Sequence, residues 1–115
     1  MTLGQQQERF SRDIAALILW VYQQGWAIRC GEFQRPQFVA DHYAETGQGI
    51  KSSLHVQKLA ADLFLSKNGK VTWDTEDYRP LGAHWKSLHE LNRWGGDMPN
   101  RRDAVHFSSE RGGIR

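Results

Sequence analysis

Cysteine is almost absent from this 115-residue chain, which has one, Cys30, alongside only three prolines and no hydrophobic run of membrane length. A single cysteine excludes an internal disulfide and any cysteine-rich structural zinc site. Within the strand-like run around it, Cys30 reads as a small buried apolar residue of a protein made in a reducing compartment. The longest apolar run, Ile14 to Val21, falls far short of the roughly 20 residues of a transmembrane helix, so no membrane insertion is expected. Met1 to Glu8 lacks the basic region of a secretory signal, and no small-residue cleavage site follows the apolar run; the expectation is synthesis in the cytoplasm. The charge excess is only +2, from 15 basic and 13 acidic residues, and it is spread along the chain. A nucleic-acid binder would rest on Arg101, Arg102, Arg111, Arg115 and the tryptophans alone, and none is expected.

Apolar periodicity is present in quantity, with 39% hydrophobic residues, enough for one domain over residues 1–115 to bury roughly two-thirds of its unfolded surface. Phe10, Ile14, Leu17, Ile18 and Val21 form the stripe of a core-facing helix that Gly25 ends. Trp26 to Phe33 alternates as a strand, and Pro36 suits the first position of a helix to about Glu45. Thr46 to Ser53 reads as a loop. Leu59 to Ser66 and Lys70 to Asp74 flank Lys67-Asn68-Gly69, the strongest hairpin signal in the chain. Pro80 is expected to open a third helix to about Trp94, with Leu81, Trp85, Leu88 and Leu91 inward and Gly95-Gly96 as its end. Ala104 to Ser108 reads as a last strand, and Arg111 to Arg115 as a frayed tail. The order suggests an α+β fold, helices packed on a largely antiparallel sheet.

His55, Asp62 and His106 supply two imidazoles and a carboxylate, the ligand count of a catalytic zinc ion that keeps a fourth position for water. On a straight strand His55 and Asp62 would lie roughly 23 Å apart, so a shared ion requires the chain to turn between them. Asp62 interrupts an apolar run, and is either buried beside a partner such as Arg29 or bound to a cation. Asp103, three positions before His106, is close enough to take a proton at the same site; the alternative reading is that it only caps a turn. Among the other histidines, His84 falls on the inward stripe of the third helix, whereas His42 and His89 read as surface residues.

Ser53-Leu54-His55-Val56-Gln57-Lys58-Leu59-Ala60-Ala61-Asp62 resembles the S-x-H-x-x-G-x-A-x-D signature of the VanY-type zinc D,D-carboxypeptidases and L-alanyl-D-glutamate endopeptidases, which share a fold with Hedgehog domains. Asp103-Ala104-Val105-His106-Phe107 resembles the second signature of that family. Trp94-Gly95-Gly96-Asp97 is similar to the step before it in phage endolysins, and Gly31 to Pro36 resembles the segment carrying the substrate-side arginine. The resemblance implies that His55, Asp62 and His106 hold one Zn²⁺, that Asp103 is the general base, and that Arg35 stabilises the oxyanion. It also implies that Arg35 and Ser53 contact the substrate. Lys58 stands where the signature has Gly, Met98 where an aromatic is usual, and Ser108 where an acid is usual. If the turn needs a left-handed residue, Lys58 occupies it under strain or the turn differs.

The activity so implied is hydrolysis of an amide in the peptide stem of peptidoglycan, by a monomer that reaches the wall from the host cytoplasm after the membrane is opened. An endolysin-type L-alanyl-D-glutamate endopeptidase stands first and a D-Ala-D-Ala carboxypeptidase second. A non-catalytic zinc-containing module that binds wall peptide or a protein partner is the contrasting reading. Arg101-Arg102 either clamps an acidic group or faces water.

Overall fold

A computed structural model describes residues 1–50, 52–100 and 102–115. Helix α1 covers Leu3–Gln23, starting earlier than its apolar stripe. Thr2 caps it in a reciprocal box, its hydroxyl accepting from the Gln5 amide while the Gln5 side chain accepts from the Thr2 amide. Phe10, Ile14, Leu17 and Val21 of its stripe are buried, each burial contributing roughly 1.5–3 kcal/mol. Strand β1 is Ala27–Cys30, helix α2 Gln37–Glu45, strand β2 Ala60–Lys67 and strand β3 Lys70–Val71. Asn68 and Gly69 both take positive φ, 53° and 79°, the backbone that a two-residue turn requires between right-twisted strands. Helix α3 is Thr75–Leu88, strand β4 Asn92–Trp94, then a short 3₁₀ turn at Gly95–Asp97 and strand β5 at His106–Ser109.

The strands form one antiparallel sheet in the order β1-β2-β5-β4, with β3 pairing on β2. Helices α1 and α3 pack on one face, where Leu17, Leu63, Leu65, Leu81, Trp85 and Phe107 join one core. This is the expected α+β class. Among the described residues no helix is long and apolar enough to cross a membrane.

Several boundaries differ from expectation for identifiable reasons. Helix α3 begins at Thr75, because the Asp74 carboxylate accepts from the Glu76 amide and Glu76 and Asp77 favour the positive end of the helix dipole; Pro80 lies inside it. It stops at Leu88, because residues 92–94 are taken by β4, which pairs Trp94 with Phe107 and Asn92 with Ser109. Cys30 is exposed, since it lies near the sheet edge. The tail expected to fray turns back on itself through paired backbone bonds between Arg111 and Ile114, and Arg111 Nη1 donates to Gln6 Oε1. His42 is exposed, while His89 is half-buried and its Nδ1 accepts from the Leu91 amide. Lys51 in the expected loop, and Arg101 of the Arg101-Arg102 pair, lie outside the described residues; Arg102 is exposed.

Candidate metal centre

Asp62 on β2 and His106 on β5 are direct partners across the antiparallel ladder, so register alone puts both side chains on the sheet face opposite α1 and α3. His55 reaches them from a compact turn. Leu59 N–H donates to the Leu54 carbonyl and Lys58 N–H to the His55 carbonyl, the bond pair that closes a helical turn with a left-handed residue after it. Lys58 is that residue, at φ 58°, and the buried Leu54 and Leu59 supply the apolar contact such a closure favours. The left-handed turn therefore exists, and a lysine occupies the position where the resembling signature has glycine.

The three side chains offer ligand atoms within 4.8 Å of one another. His55 Nε2 lies 3.3 Å and His106 Nδ1 3.7 Å from Asp62 Oδ1. Two ligand atoms at tetrahedral zinc, each about 2.1 Å from the ion, stand about 3.4 Å apart. Asp62 Oδ1, facing both rings, is buried without a hydrogen-bond partner, an uncompensated desolvation of about 1–3 kcal/mol, while the outer ring nitrogens, His55 Nδ1 and His106 Nε2, are buried without one on the edges away from it. Burial alone would raise the Asp62 pKa, but polar contact with His106 and His55 and the charge of the two rings outweigh it and hold the carboxyl at about 2, against 3.8. The donor set and its spacing thus fit a divalent cation. Arg29, the alternative partner for Asp62, instead directs Nη2 to the Gly69 carbonyl.

A cavity of about 230 Å³ opens over the triad, and Arg35, Ser53 and Asp103 share its wall with His55, Asp62 and His106. The Asp103 carbonyl accepts from the His106 amide and the Asp103 amide donates to the Gly95 carbonyl, both at 3.0 Å. Gly95 is needed there, because a Cβ would come within 2.1 Å of the Asp103 carbonyl oxygen. Trp94 Nε1 donates to the Ala104 carbonyl at 2.8 Å, so the Trp94-Gly95-Gly96 step clamps the segment that carries Asp103. Met98 also lines the cavity.

Arg35 is held at several points. Its Nε donates to Glu32 Oε1 at 2.7 Å, its Nη1 to Ser53 Oγ at 3.3 Å, and its guanidinium lies 4.9 Å from the Tyr43 ring centre. Ser53 Oγ accepts in addition from the His55 amide, so one hydroxyl ties the arginine to the ligand turn. Sequence reasoning missed Glu32. Its Oε1 stands 3.7 Å from His55 Nδ1, on the ring edge away from Asp62, and the backbone bond from the Asp62 amide to the Glu32 carbonyl fixes it there. An acid two positions past the end of β1 and three before Arg35 was the available signal. His84 stacks on Trp20, 4.6 Å between ring centres, and takes no part in the triad.

Fold and site define a small α+β domain carrying a candidate His-Asp-His metal centre at an open cleft. No protein-family model and no curated protein matches the sequence. Among solved structures, the chain is similar to Serratia marcescens L-Ala D-Glu endopeptidase ChiX, with TM-score 0.65 and 19% identity over 73% of this chain and 67% of that one. At that identity the likeness shows the fold.

Proposed function

We propose that the protein is a zinc-dependent peptidase acting on the peptide stem of peptidoglycan, most closely an L-alanyl-D-glutamate endopeptidase of the phage-lysis type. The observation that carries this reading is the convergence of His55, Asp62 and His106 on one point in the wall of an open cleft, with Asp62 Oδ1 buried between the two rings and lacking a hydrogen-bond partner. The likeness to an L-Ala D-Glu endopeptidase supports the same chemistry.

His55, Asp62 and His106 would hold the ion, which when bound supplies Lewis acidity toward water and a carbonyl oxygen. Asp103, in the wall of the same cleft, takes the proton from the attacking water and returns it to the leaving amine, a role worth about 10²- to 10⁴-fold in rate. Arg35 directs its remaining N–H groups at the oxygen that gains charge, already anchored by Glu32 and Ser53 and so without reorganisation as the reaction proceeds. Ser53 holds the arginine and the ligand turn in one register beside the substrate.

Metal analysis of the purified protein, with digestion of purified peptidoglycan before and after chelation, tests the reading. One equivalent of zinc and the release of new amino termini at D-Glu, lost on chelation and restored by zinc, are expected. Release of D-Ala with intact L-Ala-D-Glu bonds selects the carboxypeptidase instead. Full hydrolysis by Asp103→Ala removes Asp103 from its role.

A further inference from the structure

The ligand-bearing face of the sheet continues past the triad. Phe64 follows Asp62 by two positions on β2, so both side chains leave the same face, their Cα atoms about 6.6 Å apart at ordinary strand rise. The Phe64 ring lies over Gly31, where a Cβ would come within 2.8 Å of it. Trp73, just beyond β3, packs its indole on Phe64 with 5.4 Å between ring centres, yet remains 69% exposed. Arg29, directly opposite Phe64 in the ladder, is exposed beside them and carries more donors than its bond to the Gly69 carbonyl uses. A tryptophan oriented by an aromatic neighbour, with most of its surface in water and on the sheet face that carries Asp62, has the form of a binding platform.

We propose that Trp73, Phe64 and Arg29 form a saccharide subsite, in which the indole stacks on the C–H face of a pyranose ring and Arg29 bonds its hydroxyls. The proposal rests on the peptidoglycan reading and names the part of the substrate that lies there. The stem peptide hangs from a muramic acid ring through a lactyl group, so the carbonyl of the first amino acid lies two chain units, about 7 Å, from the sugar. The step from Asp62 to Phe64 is of that order, and Trp73 packs on Phe64, so the platform begins at about that reach. A terminal D-Ala-D-Ala bond lies three residues, about 10 Å, further from the sugar. The platform therefore fits cleavage of the first stem bond with the glycan attached, and does not fit removal of a terminal D-Ala.

The test compares wild type with Trp73→Ala on a disaccharide-linked stem peptide and on the same peptide without sugar. A parallel titration with N-acetylglucosaminyl-N-acetylmuramic acid follows the indole N–H signals by NMR. Wild type should favour the sugar-bearing substrate by about tenfold in kcat/KM, the gain expected when one well-placed tryptophan contact is added. Trp73→Ala should lose that preference through KM while cleaving the bare peptide unchanged, and the Trp73 signal should move with the disaccharide. Equal rates on both substrates in wild type, equal slowing of both by Trp73→Ala, or an unmoved Trp73 signal overturns the subsite. Failure of the peptidase reading looks different, because neither substrate is then cut. The titration still decides, since disaccharide binding lost in Trp73→Ala keeps the subsite and no binding removes it.

Discussion

The two faces of the sheet bury polar groups for opposite ends. On the helix side Gln6 Nε2 and Arg9 Nη2 both donate to Ser109 Oγ, at 2.8 and 2.6 Å, while Asn92 Nδ2 and Arg9 Nη1 donate to Asp13 Oδ2, at 3.2 and 2.8 Å. That network leaves only Arg9 Nε without a partner. On the cleft side, three polar atoms within one small triad have none. A nearly saturated network holds α1 to β4 and β5, whereas on the cleft side Asp62 Oδ1, between the two rings, carries a desolvation cost that a cation there would relieve. Burial is common to both, and satisfaction separates them.

The sharpest way to break this contrast is to remove one member from each side. His106→Ala should lower zinc affinity by more than the roughly 10–100-fold typical of losing a group that merely supports a ligand, and should abolish hydrolysis. Asn92→Ala should do the reverse, costing about 1–3 kcal/mol in denaturant unfolding because the Trp85 carbonyl loses its side-chain donor and Asp13 keeps only Arg9, with zinc affinity kept. Competitive chelator titration and urea melts read both. If Asn92→Ala loses zinc as severely as His106→Ala, the two faces are not separable.

A smaller effect is expected at Glu32. Glu32→Gln keeps the shape beside His55 Nδ1 but weakens the acceptor, and should reduce zinc affinity by about 10–100-fold without changing stoichiometry. Unchanged affinity would confine Glu32 to holding Arg35.

The helix-side core was largely legible because it obeys a period: Phe10, Ile14, Leu17 and Val21 declare one face of α1, and Asn68-Gly69 declares its turn. His55, Asp62 and His106 were legible as a candidate ligand set through residue type, order and resemblance to a known signature, and their convergence required only that the chain turn before β2. What escaped depends on contacts between distant segments. Glu32 acquires its place from a backbone bond to Asp62. The end of α3 is decided by β5, which draws residues 92–94 into the sheet, and Cys30 is exposed because few elements flank that edge. The start of α3 was readable after all, in Asp74 and the acids behind it, but Pro80 is the louder signal and lies within the helix it was expected to open.

Acid should separate the faces further. The Asp62 carboxyl is held at about 2, below its unfolded value near 3.8, so its ionised form stabilises the metal-free fold above the unfolded value. That contribution fades as pH falls from about 3.8 toward about 2, because the unfolded chain takes up the proton first. The difference in unfolding free energy between wild type and Asp62→Asn should therefore shift in favour of the variant across that window. A difference that is flat throughout would mean that the rings do not hold the carboxyl.

The smallest effect tests the turn that delivers His55. Lys58 is exposed and left-handed, a conformation costing an L-residue roughly 1–2 kcal/mol, whereas glycine there would lose about 0.5–1 kcal/mol in chain entropy. Lys58→Gly should thus stabilise the protein by up to about 1 kcal/mol, with zinc affinity unchanged or slightly higher because the ligand turn is better seated. Asn68 supplies the control, being left-handed on the hairpin outside the cleft and of a residue type that tolerates this backbone. Asn68→Gly should gain less and leave zinc binding untouched. If Lys58→Gly instead destabilises, the lysine side chain offsets its own strain, and the turn carrying His55 is as well satisfied as the network on the far side of the sheet.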